Sequence, residues 1–399
     1  MDDDTKLKRI KFKVSAPGRI ILYGEPLAMY GKRVVATSID LRTTLKFCEI
    51  TDNRRYIIKI DFPDIDLWLN LSLEQVLNFF FNNIDNADHF LKENILLHRY
   101  VQYFITLNGM GNTYEQRFSL HTFFYLFILI VCAERLNIKS FHVCLTSQLP
   151  MRAGLGSSTS FAICLAASFL YWARLQKGIE AFYDGDLEDI SGYVLECEEV
   201  IENYVANIDN DVCSYGGIIK FRYDIRTGYN ETCNIIAPRM KILLIDSRIR
   251  QNKLKQMKRM AELKFFYPMY LNIILNVIDY ISKQACRELN ALNFLQGNHL
   301  QNTYKTLKVS FSIFISLSQK IFHDLGLSHP NIDIICAIAR EYGFAGKLTS
   351  FGGKYVYILL SPDVAEENIM RLSAHLMLVG FAVTKTSVNC SGVRINDLY

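Results

Sequence analysis

Residues 149–170 read LPMRAGLGSSTSFAICLAASFL, a stretch in which glycines and serines stand directly ahead of a long run of small and apolar side chains. Ala153, Gly154, Leu155 and Gly156 make a loop with almost no side-chain bulk, and Ser157 or Ser158 suits the N-cap of a helix running to about Arg174. Backbone N–H groups at such a start lack intrahelical partners and sit at the positive end of the helix dipole, so a phosphate fits there. A glycine-softened turn into an ordinary core helix satisfies the same spacing, and the residues alone weigh the two readings about evenly. The exclusions are firmer. There is no GxxxxGK[ST] lysine and no GxGxxG, so neither a Walker loop nor a dinucleotide fingerprint is present.

The chain has 399 residues, half of them hydrophobic, enough for a large core divided between two domains. Basic and acidic residues nearly cancel, 44 against 40, with no basic tail, which gives no support for nucleic-acid binding. The densest basic stretch, Lys253, Lys255, Lys258, Arg259 and Lys264, reads as a solvated helix face, with a field that draws in an anionic substrate as the alternative. Ten cysteines are scattered singly, as at Cys48, Cys132, Cys164 and Cys336, and never as CxxC, which suits reduced thiols packed as small hydrophobes. The histidines do not cluster into a visible metal site.

The opening MDDDTKLKRIKF is charged where a secretory signal needs an apolar stretch, and the closing NDLY is not a peroxisomal address, so the expected location is cytoplasmic. Residues 122–133, TFFYLFILIVCA, are the most apolar run; at a dozen residues they fall short of the ~20 a bilayer-spanning helix needs and read as a buried helix. No membrane association is expected. Strand-like stretches at 12–22, 34–47, 56–61 and 140–146 crowd the first half, and helical periodicity dominates from about 255 to 342. This segregation points to an α+β fold instead of a regular alternating parallel sheet. The turn-rich RTGYNETCN places a boundary near residue 230, separating 1–230 from 231–399.

The segment from Pro150 to Ser158 resembles the PxxxGLGSS phosphate-binding motif of the GHMP kinases, with Pro150, Gly154, Leu155, Gly156, Ser157 and Ser158 all matching. Three further stretches are similar to motifs of the mevalonate kinase branch: VSAPGRIILYGEPLAMYGKRVVATSIDLRT (14–43), ECEEVIENYVANIDNDVCSYGG (196–217) and LGLSHPNIDIICAIAREYGFAGKLTSFGG (325–353). With FAVTKTSV near the end, the resemblance runs over essentially the whole chain in the family's order. YGEPLAMYG lacks the acid and tyrosine of the galactokinase GEHxDY, and the KYWGK of mevalonate diphosphate decarboxylases is missing.

The resemblance implies a two-domain GHMP-kinase fold: a strand-rich, ATP-binding N-terminal domain and a helix-rich α+β C-terminal domain whose last strand packs back toward the first. It implies ATP and mevalonate as substrates, Mg2+ as cofactor and a homodimer. The loop Arg152, Ala153, Gly154, Leu155, Gly156, Ser157 and Ser158 would hold the phosphates, with Ser147 near the nucleotide. Ser158 and Glu198 would hold the metal, and Asp209 would be the catalytic aspartate. Taken alone, Glu198 in its acidic stretch reads as a solvated face and IDND as a turn; only the eleven-residue separation shared with the family reverses both readings. Arg19 stands where mevalonate kinases generally carry lysine and galactokinases arginine, a cation to pair with the aspartate and stabilise the transferring phosphoryl group.

The pattern also departs from the family. Pro26 replaces a histidine, NYVAN a GNPSG-like segment, and SRIRQNK a TKVPRNT-like one with Lys253 at its threonine. KLTSFGGKYV replaces KLTGAGGGGC, putting Ser350, Phe351, Lys354 and Tyr355 where glycines or an alanine stand; Lys354 either offers a cation to the phosphates or faces solvent. These departures leave open a GHMP kinase for another small alcohol, or a catalytically silent nucleotide-binding relative.

Overall fold

The computed structural model describes the chain except for residues 1–9, 26–29, 52–55, 82–89, 203–206, 224–226, 228–229, 251–252, 295–299, 362 and 398–399. Pro26, most of the NYVAN segment and part of SRIRQNK therefore lie outside the described residues.

Strands β1 (Lys11–Tyr23) and β2 (Val34–Glu49) form a long antiparallel pair, buried on both faces over 20–23 and 34–39 and alternating buried with less buried side chains over 11–14 and 42–49. Strands β3 (Ile57–Phe62), β4 (Leu67–Ser72) and β5 (Phe141–Ser147) extend it, β5 pairing antiparallel with β2 and parallel with β3. The short β4 strand had no counterpart in the periodicity.

Helices α1 (Leu73–Phe81), α2 (Asn94–Leu107), α3 (Tyr114–Glu134), α4 (Ser157–Gln176) and α5 (Asp184–Glu202) precede α6 (Asn207–Tyr215). Strands β6 (Ile218–Tyr223) and β7 (Asn230–Ile235) form a hairpin in which the NETCN of the turn-rich segment is strand, paired along β6, and β6 also pairs with β2.

The second half adds β8 (Met240–Asp246), α7 (Lys253–Phe266), α8 (Pro268–Phe294), α9 (Leu300–Asp324), α10 (Pro330–Glu341), β9 (Gly346–Leu348), β10 (Tyr355–Leu360), α11 (Glu366–Leu378), β11 (Ala382–Val388) and β12 (Arg394–Asp397). All twelve strands join one mixed sheet, in which β11 links β2 to β8 and β12 returns to pair with β1. The architecture is α+β, strand-rich early and helix-rich late.

Two apolar cores lie against this sheet. The buried side chains of one come from residues 12 to 213, with Val393 and Ile395 packed against it, and it is dense in aromatic rings, Phe47 stacked on Phe141 and Trp172 tilted against both. The other joins Ile20–Tyr23 and Val34–Ala36 to β8, β10 and helices α7 to α11.

Helix α3 corrects one expectation. The helix extends N-terminally beyond the apolar run, through polar first turns, to a Thr113 and Gln116 capping box, giving 21 residues, long and apolar enough to cross a membrane by length and composition. Its surroundings set its role: 72% of the apolar window is buried inside the protein, so the helix is a core element here.

Candidate active site

Helix α4 starts on Gly156, which takes a left-handed conformation (φ 73°) and makes no side-chain cap. The serine cap expected at Ser157 or Ser158 is therefore not formed; both residues lie inside the helix, and both line a cavity of about 710 Å³ at its N-terminus. Ser160 is the first residue whose N–H closes back on the Gly156 carbonyl, so the amides before it carry no helical partner. A Cβ on Gly156 would meet Arg19 Cγ at 3.1 Å, on top of its unfavourable φ; glycine is required for the loop to close over Arg19.

Strand β1 is fixed to this loop. The Arg19 N–H donates to the Leu155 carbonyl at 2.8 Å, and a Cβ on Gly18 would lie 2.7 Å from the same oxygen. Arg19 thereby reaches under the loop, donating from Nη1 to the Gly154 carbonyl at 3.2 Å. Its Nε and Nη2 fork onto the two carboxylate oxygens of Asp209.

Asp209 lies in the first turn of α6, where the helix dipole favours a negative charge. The helix is held in place by buried Asn210, which donates to the Ser191 carbonyl of α5 at 2.8 Å and accepts from the Ser214 hydroxyl at 3.0 Å.

Glu198, on α5, is buried at 6% exposure, and the acidic stretch around it is not one solvated face. Glu196 accepts from the Tyr125 hydroxyl at 2.9 Å, Glu199 is exposed, and Glu198 turns toward the cavity. Its Oε1 accepts from the Thr159 hydroxyl at 2.6 Å, whereas Oε2 is buried with no hydrogen-bond partner among the described residues. Burial pushes the carboxyl up to about 8, with the Asp209 and Glu202 charges adding to the rise and the Thr159 hydrogen bond and Arg19 opposing it.

That orphaned carboxylate oxygen, on a residue lining the same cavity as Ser158, suits a hard divalent cation that takes its remaining ligands from phosphate oxygens and water. Among the described residues no group of three or more His, Cys, Asp or Glu side chains makes an all-protein metal cage.

Arg19, Ser147, Arg152, Gly154, Gly156, Ser157, Ser158, Glu198 and Asp209 all line the one cavity. Ala153 and Leu155 do not bring side chains to it, since both are fully buried and contribute backbone only. Arg152 (φ 53°) reaches away to the start of α3, 3.4 Å from Glu115 and 4.2 Å from the Tyr114 ring centroid. Ser147 Oγ is shared between the Thr43 hydroxyl at 2.9 Å and the Leu149 N–H at 3.1 Å, fixing the strand end where the loop departs.

The residues around 350 take other places. Lys354 neither approaches the cavity nor points freely to solvent: its Nζ donates to Asp246 Oδ2 at 2.7 Å. Gly352 (φ 72°) packs on the backbone of Lys253, where a Cβ would come within 2.8 Å of Lys253 Cα. Lys253 lines the cavity, so the basic stretch is not all solvated face. Sequence reasoning missed Thr159, for which the hydroxyl directly after the two serines was the available signal, whereas it marked Lys253 only within the basic stretch and at the threonine of the TKVPRNT-like segment.

A family model described as the GHMP kinases N terminal domain matches residues 124–217, a span that holds the loop, Glu198 and Asp209. Curated relatives align with the chain over nearly its full length. A mevalonate kinase of Dictyostelium discoideum is 28% identical over 405 residues, covering 97% of both chains, and one of Bos taurus is 27% identical over 96% of this chain and 94% of its own. The chain is similar to the GHMP kinases over nearly its whole length. A mevalonate kinase of Methanococcus jannaschii shares the GHMP-kinase fold at a TM-score of 0.65 with 19% identity, covering 94% of this chain and 97% of its own. An L. major mevalonate kinase solved with R-mevalonate does so at a TM-score of 0.64, 15% identity and coverage of 95% and 96%.

Proposed function

We propose that this protein transfers the γ-phosphoryl group of ATP to mevalonate, giving 5-phosphomevalonate and ADP. The observation that carries the reading is the Arg19–Asp209 pair facing the same cavity as the bare N-terminus of α4, with Ser158 and Glu198 between them in chain order. Phosphoryl transfer passes through a loose transition state, so the protein's work is positioning and charge neutralisation.

In this reading the amides from Arg152 to Ser158 cradle the phosphates, and Ser147 fixes the strand end beside the nucleotide. Arg19 uses two donors to orient Asp209 and leaves its positive charge beside the phosphoryl group in transit. Asp209 retains lone pairs beyond those two bonds, with which it takes the acceptor hydroxyl's proton as the new P–O bond forms. Ser158 and Glu198 are the residues that would hold Mg2+, and Thr159 orients the carboxylate. When bound, the ion neutralises charge on the phosphate oxygens.

The same reading divides the chain near residue 230 into an ATP-binding and a C-terminal part, and places the enzyme in the cytoplasm. It takes the enzyme as a homodimer, supported by Met269, Ile273, Val277 and Tyr280, apolar side chains exposed at helical spacing along α8. Incubating purified protein with ATP, magnesium and mevalonate, and coupling ADP to a reporter, tests the activity.

A further inference from the structure

A second concavity, of about 290 Å³, lies between α8, the β6–β7 hairpin and the loop before β2, and shares no lining residue with the active-site cavity. Four cations line it: Arg33, Lys220, Lys283 and Arg287. Lys283, Arg287 and Asn290 follow one another along one face of α8, and Lys220 reaches the cleft from β6 opposite Cys233.

Among the described residues one carboxylate pairs with these four cations. Asp279 accepts from the Arg33 backbone N–H at 2.8 Å and from its Nη1 at 2.7 Å, which fixes the guanidinium in place. Among the described residues Lys220, Lys283 and Arg287 form no ion pair; Arg287 donates only to the Gln284 side chain, at 3.3 Å. Burial pushes the Cys286 thiol up to about 11, so it adds no negative charge. Like charges gathered in a concave wall repel one another and focus a positive potential into the space between them.

We propose that this cleft binds a small phosphoryl-class anion of two or more negative charges, at a site separate from that of the nucleotide. Arg33 and Arg287 offer planar donor forks matched to phosphoryl oxygens, and Lys220 and Lys283 supply point charges from the two walls. A ligand held there bridges α8 to the segment leading into β2. Arg33 in that segment is packed against the end of β1, since a Cβ on Gly24 would lie 2.3 Å from the Arg33 carbonyl oxygen.

Inorganic diphosphate is the probe, titrated calorimetrically into the full-length protein with a non-hydrolysable ATP analogue already bound. The wild type is expected to take up one diphosphate per chain beside the analogue. The Lys283→Gln/Arg287→Gln variant, whose changes are on exposed side chains, should bind it about tenfold more weakly or worse while its affinity for the analogue stays the same. Thermal unfolding gives a second readout: diphosphate should raise the midpoint of the wild type and not that of the variant. No uptake with the analogue present, or equal affinity in both proteins, overturns the assignment.

Discussion

Arg19 and Asp209, 190 positions apart in the chain, meet as a two-pronged pair beneath the loop that opens α4. Strand β1 brings the guanidinium, the first turn of α6 brings the carboxylate, and Gly156 leaves the space in which they meet.

Asp209→Asn keeps the size of the side chain and one carbonyl acceptor but removes the base. It should lower kcat by roughly 10²- to 10⁴-fold. Binding of a non-hydrolysable ATP analogue, measured by calorimetry, should stay within about threefold of wild type. A comparable loss of nucleotide affinity would move Asp209 out of the chemical step.

Arg19→Lys preserves the charge and loses the fork. A lysine cannot bond both Asp209 oxygens and the Gly154 carbonyl in the same geometry, so kcat should fall about tenfold or more, with the KM for ATP changing little. Steady-state kinetics separate the two constants. Full activity in the variant would show that charge alone suffices.

Thr159→Val removes the one hydroxyl that holds Glu198 while preserving shape. The half-saturating magnesium concentration should rise about tenfold, because the freed carboxylate loses its orientation. Titrating magnesium at saturating ATP reads this directly, and an unchanged requirement would separate Glu198 from the metal.

Much of this site was legible in the sequence, and the reasons differ from residue to residue. The glycines and serines marked a helix start with unpartnered amides but fitted a plain turn into a core helix equally well, and only the resemblance to PxxxGLGSS decided between the two. Glu198 and Asp209 were legible only through resemblance: they lie on two different helices, so their eleven-residue separation has no helical periodicity to betray it. The missing serine cap was invisible because Gly156 takes the left-handed turn itself. Lys354 looked available because Asp246, its partner across the β8–β10 ladder, lies more than a hundred residues upstream. The length of α3 was missed because its first turns carry polar residues, among them Gln116, which reaches back to cap the helix and bonds the Ile65 and Asp66 carbonyls.

Lys347 and Glu25 form a fully buried ion pair at 2.9 Å that ties β9 to the end of β1. Burial pulls the lysine down and pushes the glutamate up, and each charge opposes that shift in the other. Lys347→Met strands the carboxylate and should cost ~3–5 kcal/mol, seen as a lower urea midpoint. Lys347→Met/Glu25→Gln should recover part of that loss, since the uncompensated charge is gone. Equal midpoints for the single and double variants would contradict the pairing.

His121 stacks on His98 with ring centroids 4.5 Å apart, and burial, reinforced by the His98 charge, lowers it from 6.5 to about 4. The unfolded chain binds this proton first, so the penalty is absent above about pH 6.5 and grows as pH falls toward 4. By pH 4 it should amount to on the order of 2–3 kcal/mol. His121→Gln should flatten the loss of stability between pH 6.5 and 4 in denaturant titrations. An unchanged acid slope would assign that loss to other groups.

The most direct test of the account is ADP release by the purified protein with ATP, magnesium and R-mevalonate against a blank lacking mevalonate. The account predicts mevalonate-dependent ADP, with one 5-phosphomevalonate formed per ADP and the signal lost in Asp209→Asn. ADP no higher than the blank, from protein that still binds nucleotide, would contradict it.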